Sequence, residues 1–521
     1  MNKRIIGIIL LVVFYMAAPS QAQQQEKGLS LSLEDCIIKA LKNNLNVAIE
    51  VLNPDLAEIS ISFAKEKFLP QLSMDYNIRN TNQASYSWIE ASGDIATERN
   101  AYSTQLSQLI PTGGNFSISL ASSKYDSNQK FQTINPRFSS TLTFNFTQPL
   151  LKNFGTKISR KEIIVAQNNL NISEENFRTS LQQTIYSVEE AYWNLVYSIE
   201  ILKVRQQSLK LAQDLLEKNR RAVEVGTLAP IEILNAQATV ATREADILDA
   251  EAQVKNNEDI LKTRINLSAE GKSAGLAEII PADTPEYKKK DMGLDEALSI
   301  AMQNRPDLKA TLIDLKNKEI DLSYTKNQLL PDLSFQASYW SPGVSGTYII
   351  YPPENPFGDP TAIIPGGAVD SLKDAFGFKY KNWSVGLTLS IPLESIFSRA
   401  SYAQARVNLE QAKLRMQNQE QQIFLEIKTA VRAVQTNYKR VQAYKVAREL
   451  SKKKLEAEEE KLKVGLTTNY FVLQYQTDLT TSQSQELKAI IDYNLSLAQL
   501  SQTIGMSLKE RNISVSGLLG K

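Results

Sequence analysis

Two stretches of this chain align with each other without a gap. Leu33-Glu34-Asp35 through Leu69-Pro70-Gln71-Leu72-Ser73 matches Leu294-Asp295-Glu296 through Leu330-Pro331-Asp332-Leu333-Ser334, at an offset of 261. Ala40 falls on Ala301, Asn43 on Asn304 and Pro70 on Pro331. Such a duplication points to one unit used twice, and 521 residues exceed the roughly 100–200 of a single domain. Each stretch carries a helical pattern of about 35 residues and stops at Leu-Pro, because proline cannot continue a helix.

Strands are expected after each stop, at about 71–80 and 332–341. Leu72, Met74, Tyr76 and Ile78 alternate with Ser73, Asp75, Asn77 and Arg79. Leu333, Phe335, Ala337 and Tyr339 alternate with Ser334, Gln336 and Ser338. Returning strands, about 138–148 and 383–392, match at an offset of 243 and alternate through Leu142, Phe144, Phe146 and through Val385, Leu387, Leu389. Period two gives each strand one apolar and one polar face. The smaller offset leaves 18 extra residues between the strands of the first copy. They hold Ile110-Pro111-Thr112-Gly113-Gly114, then alternating Phe116, Ile118 and Leu120, which predicts an extra hairpin at about 102–122.

Alternation alone also fits a half-buried sheet of a soluble domain. Length and aromatic content favour a membrane barrel, whose strands need about 9–11 residues with apolar side chains toward lipid. Trp340, Tyr348, Tyr351, Tyr380 and Trp383 are expected at or beyond strand ends, as a girdle. So few strands cannot close a barrel alone, so a barrel has to be shared between protomers.

The chain has 18 prolines, yet none between Pro149 and Pro230 and none after Pro392. Proline in a helix interior costs about 3 kcal/mol, so these runs predict long helices, about 160–224 and 400–463. Each would be nearly 100 Å long at about 1.5 Å per residue. Leu181, Val188, Leu195, Leu202, Leu209, Leu216 and Val223 recur every seven residues. Ile427, Val434, Val441, Leu455 and Leu462 take the matching positions, with Arg448 as the one break. A sustained heptad marks a left-handed coiled-coil seam. Both helices end at a Gly-capped turn, Val225-Gly226-Thr227 and Val464-Gly465-Leu466, and return helices are expected at about 231–266 and 470–504. The domain reading is therefore a first repeat over 23–267, a linker over 268–292, a second repeat over 293–505 and a tail over 506–521. The fold class expected is an α+β membrane protein with an internal two-fold repeat, in which long coiled-coil helices follow the strands of a transmembrane β-barrel.

Lys3 and Arg4, the apolar run Ile5–Ala18 and the small-residue site Ser20-Gln21-Ala22 read as a secretory signal over residues 1–22, with a permanent anchor as the alternative. Cys36 is the only cysteine, which excludes an internal disulfide, and it reads as a small buried helix residue. Histidine is absent, so His-based triads and the commonest metal ligand are excluded. With 58 Lys+Arg against 57 Asp+Glu, the chain has no basic field for nucleic acid. Gly271-Lys272-Ser273 resembles the end of a phosphate loop, but Asn266 stands where that motif needs glycine. No catalytic residue, cofactor or metal is expected.

The two-fold repeat, the helix–Leu-Pro–strand step and the paired Val-Gly turns resemble the outer membrane efflux protein family, the TolC-like ducts. The resemblance covers the whole mature chain. It implies a homotrimer sharing one barrel in outer-membrane lipid, continued by a helical tube into the periplasm. Its implied partners are a periplasmic adaptor and an inner-membrane pump, reached directly or through that adaptor. It implies adaptor docking at Val225, Gly226, Thr227, Val464, Gly465 and Leu466. The family's periplasmic gate lies just beyond these turns, which points to Glu232, Tyr470, Phe471 and Gln474. Phe471 and Gln474 replace acids found in some members, so an aromatic constriction stands beside plain coiled-coil packing as a reading. Efflux and type I protein secretion use the same architecture. A periplasmic coiled-coil scaffold without a pore is the remaining rival.

Overall fold

The computed structural model describes residues 28–87, 89–90, 93–271 and 275–518. The expected signal segment, and Lys272-Ser273 of the glycine-lysine-serine triplet, lie outside the described residues.

Strand β1 (Leu29–Leu31) leads into α1 (Leu33–Asn43), α2 (Leu45–Glu50) and α3 (Leu52–Glu66). Strands β2 (Gln71–Ala84), β3 (Asp94–Leu109), β4 (Asn115–Ser127) and β5 (Ile134–Pro149) follow. A single turn, α4 (Thr156–Ser159), precedes the 64-residue α5 (Lys161–Glu224) and then α6 (Ile231–Ile265). Strand β6 (Ile279–Pro281) comes before α7 (Leu294–Asn304) and α8 (Pro306–Asn327). Next come β7 (Asp332–Ile350), β8 (Ala362–Ile364), α9 (Ala368–Phe376) and β9 (Asn382–Ser390). The 68-residue α10 (Ile396–Lys463), α11 (Asn469–Thr503) and two single turns, α12 (Ser507–Glu510) and α13 (Val515–Leu518), are the last of the described elements. It is a largely α-helical protein with two β-sheets. No described helix is long and apolar enough to cross a membrane.

Several elements differ from expectation for local reasons. The single helix expected over 33–69 is broken at Asn44, whose extended backbone lets its side chain donate to the Arg264 carbonyl at 2.8 Å. Its counterpart breaks at Arg305, because the residue before Pro306 is pushed out of helical geometry. The extra hairpin is longer than the expected 102–122, and its turn is Ile110–Gly114. Strand β7 runs to Ile350 rather than 341, so Trp340 and Tyr348 lie within it, not at its end. The stretch read as a linker carries β6, paired in parallel with β1 (Leu29 opposite Ile279).

The described chain falls into two compact units, which share the long helices. One comprises residues 28–45, 184–289 and 434–498. Ser32 and Asp35 cap α1 reciprocally, each backbone N–H donating to the other's side chain at 3.1 Å. Cys36 is fully buried there, and burial pushes its thiol up to about 12. Asp283 accepts from the Leu33 N–H at 2.7 Å and from the buried Tyr192 hydroxyl at 2.9 Å, tying α1 to α5. Glu258 of α6 accepts from the Ile279 N–H at 3.0 Å and from Lys262 at 2.9 Å, which pins β6. The heptad break at Arg448 is filled by an ion pair to Glu486 of α11 at 2.5 Å.

The other unit comprises residues 46–183, 290–433 and 499–518, and holds an antiparallel sheet. Its order is β2-β3-β4-β5-β7, with β9 and β8 both on the far edge of β7. Strand β9 pairs with Asp332–Trp340 and β8 with Tyr348–Ile350, so the sheet is six strands wide. Pro342 sits in the gap between these two partners, where a missing N–H leaves no partner strand unsatisfied. The extra hairpin stands between β2 and β5 as two full strands of the sheet. Register brings Leu72, Leu106, Ile118, Phe144, Tyr339 and Trp383 into one row across all six strands. The adjoining row on the opposite face is Ser73, Gln105, Ser119, Thr143, Trp340 and Asn382, polar at every strand but β7.

Candidate functional site

The two Gly turns have the same backbone construction. Gly226 has φ +77° and Gly465 φ +73°, the left-handed region that ends helices with little strain for glycine and, after it, asparagine. The Gly226 N–H donates to the Val223 carbonyl at 3.0 Å and the Thr227 N–H to the Ala222 carbonyl at 2.9 Å. The Gly465 N–H donates to the Leu462 carbonyl at 3.1 Å and the Leu466 N–H to the Lys461 carbonyl at 2.9 Å. Both are therefore Schellman caps, which satisfy the last carbonyls of α5 and α10. Thr227 adds a hydroxyl bond to the Ala222 carbonyl at 2.9 Å. Val225, Val464 and Leu466 are 74%, 69% and 76% exposed, so each tip presents apolar side chains to its surroundings.

Each turn is braced from its long helix by a residue that the sequence reading passed over. Buried Asn219 of α5 donates to the Glu232 carbonyl at 3.4 Å. Buried Glu458 of α10 accepts from the Thr467 hydroxyl at 2.5 Å and from Lys461 at 3.0 Å. The Thr467 hydroxyl, then Lys461, hold the Glu458 carboxyl below the ordinary carboxylate range against the opposing effect of burial. Asn219 and Glu458 stand 239 residues apart, the same spacing that relates the heptads, so that spacing was the available signal. Below them, Leu215, Leu455, Val472 and Leu479 form a buried cluster joining α5, α10 and α11.

Of the four gate candidates, the structure brings three together. Glu232, Tyr470 and Gln474 line one open recess of about 480 Å³ with Asn235, Leu473 and Asp478. Phe471 does not line it; its ring meets Tyr470 at 5.5 Å and Tyr475 at 6.4 Å. Lys454 sits 4.0 Å from the Tyr475 ring, closing this aromatic group on its far side. Asp478, one helical turn beyond Gln474, supplies a second carboxylate beside Glu232 that the sequence reading did not single out. Among the described residues no cluster of His, Cys, Asp and Glu is arranged to hold a metal ion.

Residues 36–266 and 297–506 match the outer membrane efflux protein family. The outer membrane protein TolC of Vibrio cholerae is 23% identical over 444 residues, covering 84% of this chain and 91% of that protein. The crystal structure of the Campylobacter jejuni CmeC outer membrane channel superposes with a TM-score of 0.64 at 15% identity, covering 98% of this chain and 99% of that one. The open state of the Neisseria gonorrhoeae MtrE channel gives a TM-score of 0.61 at 17% identity, with coverages of 93% and 91%. With most of both halves matched, this chain belongs to the outer membrane efflux protein family: it is a channel protein of the outer membrane that extends into the periplasm.

Proposed function

We propose that the chain is the exit duct of a tripartite efflux system, and that three copies complete it. The supporting observation is the six-strand sheet with one apolar and one polar face. Its strands alternate in direction, so β2 and β9 at the two edges run oppositely. The free edge of β9 in one copy can then pair antiparallel with β2 of the next, which removes the exposed edges a membrane cannot tolerate. Three copies would make a wall of about 18 strands, in the size range that leaves an aqueous channel. The apolar row faces lipid and the Ser/Thr/Asn face keeps the lumen wet. The internal two-fold repeat supplies each copy with two helical hairpins for the periplasmic tube.

The Gly-capped tips are the adaptor-docking surface, since Val225, Val464 and Leu466 are apolar, exposed and held by rigid caps. The recess lined by Glu232, Tyr470, Gln474 and Asp478, with Phe471 beside it, is the gate region. Conduction is passive, driven by an inner-membrane pump. The adaptor opens the gate only as far as it binds the open form more tightly. Turning a 99% closed gate into a 99% open one needs about 5.5 kcal/mol of differential binding, about 1 kcal/mol per tip over the six tips of a trimer. The test is fractionation with a deletion strain. A detergent-requiring, heat-modifiable trimer in the outer membrane, whose loss raises accumulation of a pump substrate, is expected. A trimer or monomer released with the soluble periplasm would leave only the scaffold reading.

A further inference from the structure

The nine-residue helix α9 is not part of the strand-and-helix plan, yet it is packed on the sheet through residues chosen for close approach. A Cβ added at Gly343 would lie 2.0 Å from the Ser371 carbonyl oxygen and 2.8 Å from the Ala375 nitrogen, so only glycine lets the helix sit there. Ser371 and Ala375, one turn apart on α9, are fully buried against the sheet, and the Ser371 and Ser140 hydroxyls are 2.8 Å apart. Just after the helix, the Phe378 ring lies 5.8 Å from Tyr339 and 6.4 Å from Phe144. Ser140, Tyr339, Gly343 and Phe144 all belong to the apolar face. The helix therefore lies on the side of the sheet that carries the Leu72–Trp383 row, and not on the polar side.

Register identifies the row of the wall that it covers. Tyr76, Tyr102, Ser122, Ser140 and Gly343 form one row across five strands. On β2 and β3 that row is a stacked tyrosine pair, with ring centroids 4.6 Å apart. On β4, β5 and β7 it is Ser, Ser and Gly, and α9 covers the wall at the last two of these strands. From Leu333 to Gly343 the apolar face of β7 spans 11 residues, about the length a tilted strand needs to cross the hydrocarbon core. On the side of α9 turned away from the sheet, Val369 and Phe376 are 63% and 53% exposed, seven residues apart on one stripe. Lys373 lies between them and pairs with Asp370 at 3.8 Å, a long side chain able to carry its charge toward headgroups.

We propose that α9 is an interfacial helix clamped to the outside of the barrel, with Val369 and Phe376 inserted among the lipids of the outer leaflet where the wall itself lacks aromatic side chains. The inference rests on the reading of the sheet as a membrane wall. Its occupant is lipid, at the boundary of headgroups and acyl chains, because the exposed stripe continues the lipid-facing row of the strands.

Nitroxide labels at Val369→Cys and Phe376→Cys in the full-length protein, reconstituted in phospholipid vesicles, test it. Native Cys36 is buried with its thiol pushed up to about 12, so the label goes to the introduced site. Val385→Cys on the apolar face of β9 and Ser338→Cys on the polar face of β7 are the references. Collision with oxygen relative to a water-soluble nickel complex is expected to be several-fold higher at Val369 and Phe376 than at Ser338, and to match Val385. Water-type ratios at both helix sites with a lipid-type ratio at Val385 would overturn the proposal alone. A water-type ratio at Val385 as well would overturn the membrane-wall reading beneath it.

Discussion

Replacing Gly226 or Gly465 separates backbone strain from side-chain contact at the tips. Nothing lies within 4 Å of a Cβ built at either position, so an added side chain meets no steric obstacle within its own chain. The cost comes from the backbone alone, because φ values of +77° and +73° are unfavourable for a residue with a Cβ. That penalty is roughly 1–2 kcal/mol per residue. If the capped turn is the docking-competent form, its equilibrium with uncapped forms shifts by a factor of about 5–30, and apparent adaptor affinity falls by up to that factor. Gly226→Val and Gly465→Val should therefore each weaken adaptor binding, by up to that amount. Gly226→Asn and Gly465→Asn should stay near wild type, since asparagine tolerates this conformation despite its size. Binding of purified adaptor to immobilised trimer reads the constants, and heat-modifiable trimer in the membrane checks assembly. Val variants that bind normally would refute the docking role of the caps. Asn variants as weak as Val would show that side-chain volume, not strain, is what the surface rejects.

Glu232→Gln combined with Asp478→Asn should lower the cation preference of reconstituted channels more than either change alone; unchanged reversal potentials would mean that the recess does not face the ion path. Burial raises the Glu258 carboxyl, but hydrogen bonds from Lys262, the Ile279 N–H and Lys255 outweigh it and hold it below the ordinary range. Its contribution is then present above about pH 4.3, the unfolded value, and is lost as pH falls through the lower native one. Glu258→Gln should speed amide exchange at Ile279 near neutral pH and flatten its acid dependence; identical exchange profiles would refute the pinning of β6. Ile427→Ala, at a fully buried heptad position, should cost about 2–5 kcal/mol of stability, read as a lowered denaturation midpoint of the trimer. A midpoint unchanged from wild type would remove Ile427 from the packed seam.

The long helices were legible because two independent signals coincide in them, the absence of proline and the seven-residue recurrence of apolar side chains. Strand β9 was legible from Val385, Leu387 and Leu389 alone. The far half of β7 was not, since beyond Tyr339 the alternation dissolves into Trp340-Ser341-Pro342-Gly343, and proline and glycine there read as a turn. They are tolerated in the strand because β9 stops at Asn382 and α9 closes on Gly343, both facts of tertiary packing. Helix α9 itself is nine residues between Gly367 and Gly377 and has no long periodic pattern to detect. Strands β1 and β6 are three residues each, too short to alternate, and exist only because the chain brings them together. At the tips, Val-Gly announced the turns. Asp478 lies one helical turn past the turn positions that the two copies share, and only the packing of α11 against α6 brings it into the recess with Glu232.

Single-channel recording of the purified protein in planar lipid bilayers tests the central claim most directly. Discrete, long-lived conductance steps from heat-modifiable trimers are predicted, closed at rest and lengthened when Tyr470→Ala and Phe471→Ala loosen the gate region. Trimers that never conduct, even with both gate substitutions, would contradict the duct and leave a coiled-coil scaffold.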